Sequence, residues 1–271
     1  MKSSILKNFL IGGLRILLVL VFLLPIIWMV FAALIPPGTP LPQNLWPLPT
    51  KLSLRNFSRI WELVPIGKFL LNSLRVAGIA VPITLVTSSW AGFAMSQLPR
   101  PSQNKWVILS LIILMIPGIS LWSTRFILYK TIGIYNSIWA LVIPSIMGTN
   151  PFFVLMFYRA FRRIPQEVYD TARLDGADVL QIWGKIALPI ARPTAIGVIL
   201  LSFIHYWGDF LSPLLYIRTE RYYTLSIALQ LLQQMGRSDW PLLMAAAVTS
   251  LIIPLVLYLI LQPFFMANEK K

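Results

Sequence analysis

The chain has 271 residues, 57% of them hydrophobic and only 12% charged, whereas a water-soluble domain carries about 25% charged residues. With a mean hydropathy of +0.75, no cysteine and one histidine, it excludes a soluble globular domain, disulfides, thiolate catalysis and multi-histidine metal sites. The formal net charge of +14 is spread between apolar runs, where Lys and Arg meet anionic headgroups, and does not gather on one patch as in a nucleic-acid binder.

Read in order, the chain predicts an all-α integral membrane protein, a single transmembrane domain over 1–271. Residues 1–13 are short and basic (Lys2, Lys7). Residues 14–35 are long enough to span a bilayer, which takes about 20 residues. They lack the shorter core and small-residue cleavage site of a removable signal, so we read them as a retained first span. A Pro-rich polar connection follows over 36–68, with Trp46 and Trp61 suited to the interface. Further spans are expected at 69–96, 106–128, 138–161, 190–217 and 242–266. Short loops at 97–105 and 129–137 and a polar loop at 162–189 separate them, and a tail ends in Glu269, Lys270 and Lys271. Six spans put both termini on one side. The most basic loop region holds Arg159, Arg162, Arg163, Arg173, Lys185 and Arg192, which makes that side cytoplasmic. Prolines recur within or beside the spans at Pro82, Pro117, Pro144, Pro151, Pro193, Pro213 and Pro254. Each removes a backbone hydrogen bond and can bend a helix around a translocation path.

The polar loop is the most patterned stretch. From Ile164 to Pro189 it reads IPQEVYDTARLDGADVLQIWGKIALP. Pro165 suits a first helical turn, and Glu167 and Asp170 lie in early turns, where a helix dipole favours acids. Glu167, Asp170 and Arg173 are spaced by three and so share a face. Gly176 can take the left-handed conformation that ends such a helix. Val179, Ile182, Trp183 and Ile186 then form an apolar stripe suited to a membrane boundary or a partner. Leu188 and Pro189 are expected to stop this second helix.

That layout resembles the EAA loop of permease subunits in binding-protein-dependent ABC importers. Asp170-Thr171-Ala172 stands for E-A-A, with Asp for Glu and Thr for Ala. Gly176 stands for the glycine and Ile186-Ala187-Leu188-Pro189 for the I-x-L-P ending. The I-P-x-E and L-D-G-A segments look like the carbohydrate-uptake branch, similar to the maltose-type inner-membrane permeases. The resemblance implies a coupling helix that docks on a separate ATPase subunit through Glu167, Asp170, Thr171, Ala172, Asp175 and Gly176. It implies a second homologous permease, two ATPase subunits that carry the ATP and Mg, and an extracytoplasmic solute-binding protein. The setting is a bacterial or archaeal plasma membrane.

Candidate pore residues lie in the later spans. The stretch from Phe203 to Ile217 reads FIHYWGDFLSPLLYI and places His205 and Asp209 at i, i+4 on one helical face. Ionisable groups inside a membrane tend to face a cavity or a partner. The stretch also resembles the family signature W-N-x-F-x-x-P-L through Trp207, Asp209, Phe210, Pro213 and Leu214, with Gly208 in place of the Asn. Aromatic rings beside hydrogen-bonding groups suit sugars, so His205, Trp207 and Asp209 are pore candidates, together with Asn150. The stretch 222–240 looks like the carbohydrate branch's external loop, which approaches the solute-binding protein. There is no G-x-x-x-x-G-K-[ST], metal-ligand cluster or nucleophile–base pair. The chain is therefore read as non-catalytic, binding no cofactor itself and no nucleic acid. Two alternatives are an ABC permease for a non-sugar solute such as a polyamine and an ion-coupled secondary transporter. The second would need inverted repeats and mid-membrane acids.

Overall fold

The computed structural model describes residues 2–39, 51–146, 150–235 and 239–266. Among these, every regular element is helical, as suits a chain whose solvent cannot hydrogen-bond to open backbone. Four helices are long and apolar enough to cross a membrane: Ile11–Ala33, Ile66–Gln97, Trp139–Phe161 and Trp240–Phe264, the third taken across residues 147–149, which lie outside the described residues. Two sharply bent pairs raise that number to as many as six. The chain forms two compact units, Met1–Gly67 with Ala228–Ile252, and Lys68–Ile227 with Ile253–Lys271.

In the first unit, α1 (Lys2–Ala33) runs through Pro25 without a break. Leu14, Leu17, Leu20 and Phe22 are all exposed, as expected of a helix bathed in hydrocarbon. Its end is closed by α2 (Arg55–Leu63), an amphipathic helix within a connection that the sequence left irregular. Asn56 Nδ2 donates to the carbonyls of Ala33 (3.0 Å) and Ile35 (2.6 Å). Trp28 stacks on Trp240 at 5.8 Å, and Arg59 pairs with Asp239 at 2.6 Å.

The second unit begins along α3 (Ile66–Gln97), which stays continuous across Pro82. The expected loop at 97–105 shrinks to Leu98 and Pro99, because α4 (Arg100–Met115) starts at once with proline in its first turn. The span expected at 106–128 is broken at Pro117, one of the prolines read as able to bend a helix. Ile116 adopts ψ 119, as a residue before proline must when the α region is closed to it. After Pro117 come a 3₁₀ turn, Gly118–Leu121, and α5 (Trp122–Thr131), and the two halves meet at 84°.

Next come α6 (Trp139–Ile146) and α7 (Pro151–Phe161), then the polar region with α8 (Gln166–Leu174), α9 (Val179–Gln181), a π-helical turn (Ile182–Ala187) and α10 (Leu188–Ile190). Here the expected stop at Leu188 and Pro189 does not occur. The π turn, whose N–H groups reach back five residues, widens the helix just before Pro189 and makes room for its ring. The break falls instead at Ala191 (φ −83, ψ 15), where the axis turns by 83° into α11 (Arg192–Gly208). The span expected at 190–217 breaks again at Asp209 (ψ 113) before α12 (Leu211–Tyr216). The chain closes with α13 (Leu225–Met235) and α14 (Trp240–Met266). The prolines therefore sort by position. Pro82, Pro144 and Pro254 lie inside unbroken helices. Pro117, Pro151, Pro193 and Pro213 mark helix starts, where a missing N–H costs nothing.

Packing in the second unit centres on aromatic residues. Phe93, Phe153, Phe157, Phe161, Tyr169, Ile182 and Val198 form one buried cluster that joins α3, α7, α8, the π turn and α11. α3 and α7 come close together at Gly92 of α3. A Cβ there would lie 2.7 Å from Phe157 Cβ and 2.8 Å from the Val154 carbonyl oxygen. Small residues permit such contact between membrane helices, whose attraction is mainly close packing. We predict that Gly92→Ala costs about 1–3 kcal/mol through overpacking, while Gly78→Ala, with nothing within 4 Å of its new Cβ, costs nothing. Thermal unfolding of the two variants in detergent separates them; equal melting temperatures would show that the seam is not tight.

Candidate functional site

The polar region between α7 and α11 is built on a buried foundation. Tyr169 and Ala172 face inward from α8. Tyr169 Oη donates to the Phe161 carbonyl at 3.1 Å, and its ring meets Phe93 edge-on at 6.1 Å. Burial pushes the Tyr169 phenol up from 10.0 to about 12, against a smaller opposing effect of Arg173. The helix ends in a Schellman motif: Ala177 N–H donates to the Ala172 carbonyl and Gly176 N–H to that of Arg173. Gly176 sits at φ +80, the left-handed position this motif requires.

Of the six residues expected to face an ATPase, Glu167, Asp170, Thr171, Asp175 and Gly176 are exposed, and Ala172 is buried beneath them. The shared face is real for Asp170 and Arg173, whose side chains pair at 2.9 Å, with Gln166 Nε2 donating to the same Asp170 oxygen at 3.1 Å. Arg173 also reaches across to α3, where its Nη2 donates to Gln97 Oε1 at 2.7 Å. Sequence reasoning missed Gln97, although a polar residue at the end of an apolar span was the available signal. It also missed the capping box at Asp178 and Gln181 that starts α9, which the D-x-x-Q spacing encodes.

The stripe expected from Val179, Ile182, Trp183 and Ile186 is split by the π turn. Ile182 is buried, Trp183 and Ile186 are half-buried and Val179 is exposed. Trp183 meets Trp90 edge-on at 5.5 Å, and its buried Nε1 has no hydrogen-bond partner. Both indoles line an apolar crevice of about 520 Å³, with Ala94, Leu180, Gln97 and Arg173.

The four pore candidates occupy different settings. Asn150 caps α7, its Oδ1 accepting the Phe152 N–H at 3.1 Å. His205 is exposed and lies edge-on to Tyr206 at 5.2 Å. Trp207 is buried and stacks on Phe203 at 5.4 Å. Asp209 is not on the helical face of His205, because α11 ends at Gly208. Its Oδ1 accepts the Ser212 N–H at 3.1 Å and its carbonyl accepts from Ser226 Oγ at 2.9 Å. The helical i, i+4 relation fails because Asp209 instead organises the next helix start. Tyr206 was not anticipated. Its hydroxyl lies 3.1 Å from Thr84 Oγ1 and so joins α11 to the middle of α3. Among the described residues no cluster of three or more His, Cys, Asp or Glu could hold a metal.

Residues 5–266 match the binding-protein-dependent transport system inner membrane component family. The chain belongs to that family. Over 221 residues it is 30% identical to the arabinooligosaccharides transport system permease protein of Halalkalibacterium halodurans, covering 81% of this chain and 78% of the relative. Against the trehalose/maltose transport system permease protein of Thermococcus litoralis, identity is 27%, with 99% and 97% covered. A solved chain from a bacterial ABC transporter involved in import of the acidic polysaccharide alginate shares the fold, with a TM-score of 0.78 at 18% identity and 98% of both chains covered. This family member is thus a transport component of an inner membrane, and its exposed acidic face on α8 stands on a foundation shared with α3 and α7.

That foundation makes a prediction. Tyr169→Phe removes one buried hydrogen bond and should cost about 1 kcal/mol. The phenol's raised value means that its contribution is complete below about pH 10 and is lost as pH rises towards about 12. The unfolding free energy measured across that range should therefore fall more steeply in wild type than in Tyr169→Phe. Parallel curves would remove Tyr169 from the foundation.

Proposed function

We propose that this chain is the permease subunit of an ATP-driven importer and forms half of the translocation path for a sugar or oligosaccharide. In this reading the chain crosses the membrane six times, both termini are cytoplasmic, and residues 162–189 carry a coupling helix that docks on a separate ATPase. A second homologous permease completes the path, two ATPase subunits hold the ATP and Mg, and an extracytoplasmic binding protein delivers the solute. The chain itself catalyses nothing and needs no cofactor.

The observation that carries the reading is α8 and its ending: five exposed residues of the expected coupling set, three on the helix and two in its terminating turn, with the buried side of the helix seated in the core. Such an element presents a fixed polar surface to a partner. The sugar class rests on relatives whose names refer to arabinooligosaccharides and to trehalose and maltose. It also rests on the aromatic and polar groups at 205–209, with His205 as the one exposed pore candidate and Asn150 and Asp209 half-buried.

Two measurements test the proposal. Uptake of labelled mono- and oligosaccharides, polyols and polyamines is compared in cells with and without the gene, after ATP depletion and after collapse of the ion gradient. Loss of an ATP-dependent sugar uptake is the expected result, and loss of an uptake that follows the ion gradient refutes it. Second, Asp170→Lys and Gly176→Pro should still insert in the membrane yet uncouple ATP hydrolysis from transport. Gly176→Pro fails because proline cannot reach φ +80. Normal coupled transport in both variants would remove α8 from the coupling role.

A further inference from the structure

One helix, α3, is held near both ends by contacts with segments distant in the sequence. Near its start, Asn72 Nδ2 donates to the carbonyls of Arg221 (2.8 Å) and Tyr223 (2.9 Å). The neighbouring Ser73 Oγ accepts the Leu225 N–H at 2.9 Å. Both side chains are buried. The stretch 221–225, which leads into α13, therefore has its backbone fastened to α3. At the other end Gln97, the last residue of α3, accepts from Arg173 of α8 at 2.7 Å, and Phe93, one turn earlier, packs against Tyr169 of α8. Asn72 and Gln97 are 25 residues apart, about 38 Å along a helix, which exceeds the roughly 30 Å of a bilayer's hydrocarbon core. Between them α3 is unbroken. It is tied to α11 through Thr84 and Tyr206 at 3.1 Å and to α6 through Thr87 Oγ1, which donates to the Ser145 carbonyl at 3.1 Å.

We propose that α3 is the strut through which the stretch 221–225 at one membrane face and α8 at the other move as one body, with Asn72 and Gln97 as positioning residues at its two ends. Covalent connection alone would pass motion of α8 only to α7 and, through the π turn, to α11. The Arg173–Gln97 contact and the Phe93–Tyr169 packing add a third helix, and that helix holds the 221–225 backbone by a buried amide. Occupancy of a solute-binding protein on the outer loops would thereby reach the ATPase-facing helix without passing through the pore residues. This inference rests on the importer reading above.

The test uses the complete transporter in proteoliposomes, reading ATP hydrolysis with and without its solute-loaded binding protein. Asn72→Leu should keep basal hydrolysis while stimulation falls about fivefold or more, the low end of measured coupling between sites. The double variant Asn72→Leu/Gln97→Leu should be no worse than the more impaired single variant, since both cut one element. The chain contains no cysteine, so Gln97→Cys with Arg173→Cys gives it a single thiol pair, tested in a complex whose other subunits have been freed of cysteine. That complex should be weakly coupled as made, regain stimulation when joined by a short bis-methanethiosulfonate linker, and lose it again on reduction. Unchanged stimulation in Asn72→Leu, losses that multiply in the double variant, or arrest of transport by the linker would each overturn the strut. A wild-type complex whose hydrolysis does not respond to any binding protein overturns the importer reading and the strut together.

Discussion

A backbone that leaves the helical path in an apolar solvent must find partners for its own N–H and C=O groups, and this requirement shapes the chain at nearly every turn. Three buried amides, Asn56, Asn72 and Gln103, are 0%, 1% and 3% exposed, and each donates to two main-chain carbonyls. Asn56 closes the end of α1, Asn72 fastens residues 221 and 223, and Gln103 satisfies Ser96 and Leu98 at the turn from α3 to α4. Gln103 also accepts from Tyr158 of α7 at 3.0 Å. A side-chain amide suits this task because it carries two donors and an acceptor on one rigid group. Acceptors do the complementary work. Asp209 takes the Ser212 N–H at the start of α12, and Asn136, at φ 58, takes the N–H groups of Arg218 and Thr219.

These polar clasps fix where the chain bends, and close packing fixes how the bent pieces meet. In lipid the helices gain little from hydrophobic association, so intimate contact and a few hydrogen bonds must hold them. Gly92 lets α3 and α7 approach until a single methyl group would not fit. Around that seam Phe93, Phe157 and Phe161 pack stacked and edge-on at 5.6 and 5.7 Å, arrangements favoured by the ring quadrupole. The same cluster receives Tyr169 and Ala172 from α8. The surface helix thus shares its foundation with the membrane-embedded part, and it cannot shift independently without opening that core.

This arrangement gives the family's polar loop a mechanical meaning. Its acids are exposed, its Schellman ending closes the helix on itself, and its buried side and the Arg173–Gln97 contact hold it to α3, α7 and α11. The break at Ala191 turns the following helix by 83°, so the segment from Val179 to Ile190 lies across the direction of α11. The indoles of Trp90 and Trp183 meet beside it.

Much of this was legible in the sequence. Long apolar runs fixed the helices, because their length and lack of charge leave no other way to satisfy a backbone in lipid. The spacing from Pro165 through Asp170 to Gly176 foretold the α8 element and its left-handed ending, because a Schellman motif and a helix face are local geometry. What the sequence left open depends on neighbours distant along the chain. Pro82 and Pro117 look alike in an apolar run, yet α3 continues through one and the next span breaks at the other. Asp209 and His205 seemed one helical pair until the break between them assigned Asp209 to a cap. Asn72 and Tyr206 carry no local signature and Gln97 only that of a polar residue ending an apolar span, because their partners lie about 150, 122 and 76 residues away. The sequence by itself therefore determined the membrane class, the helix content and the motif. Only the tertiary structure decided which polar groups meet, because hydrogen bonds between distant segments are set by how the helices pack.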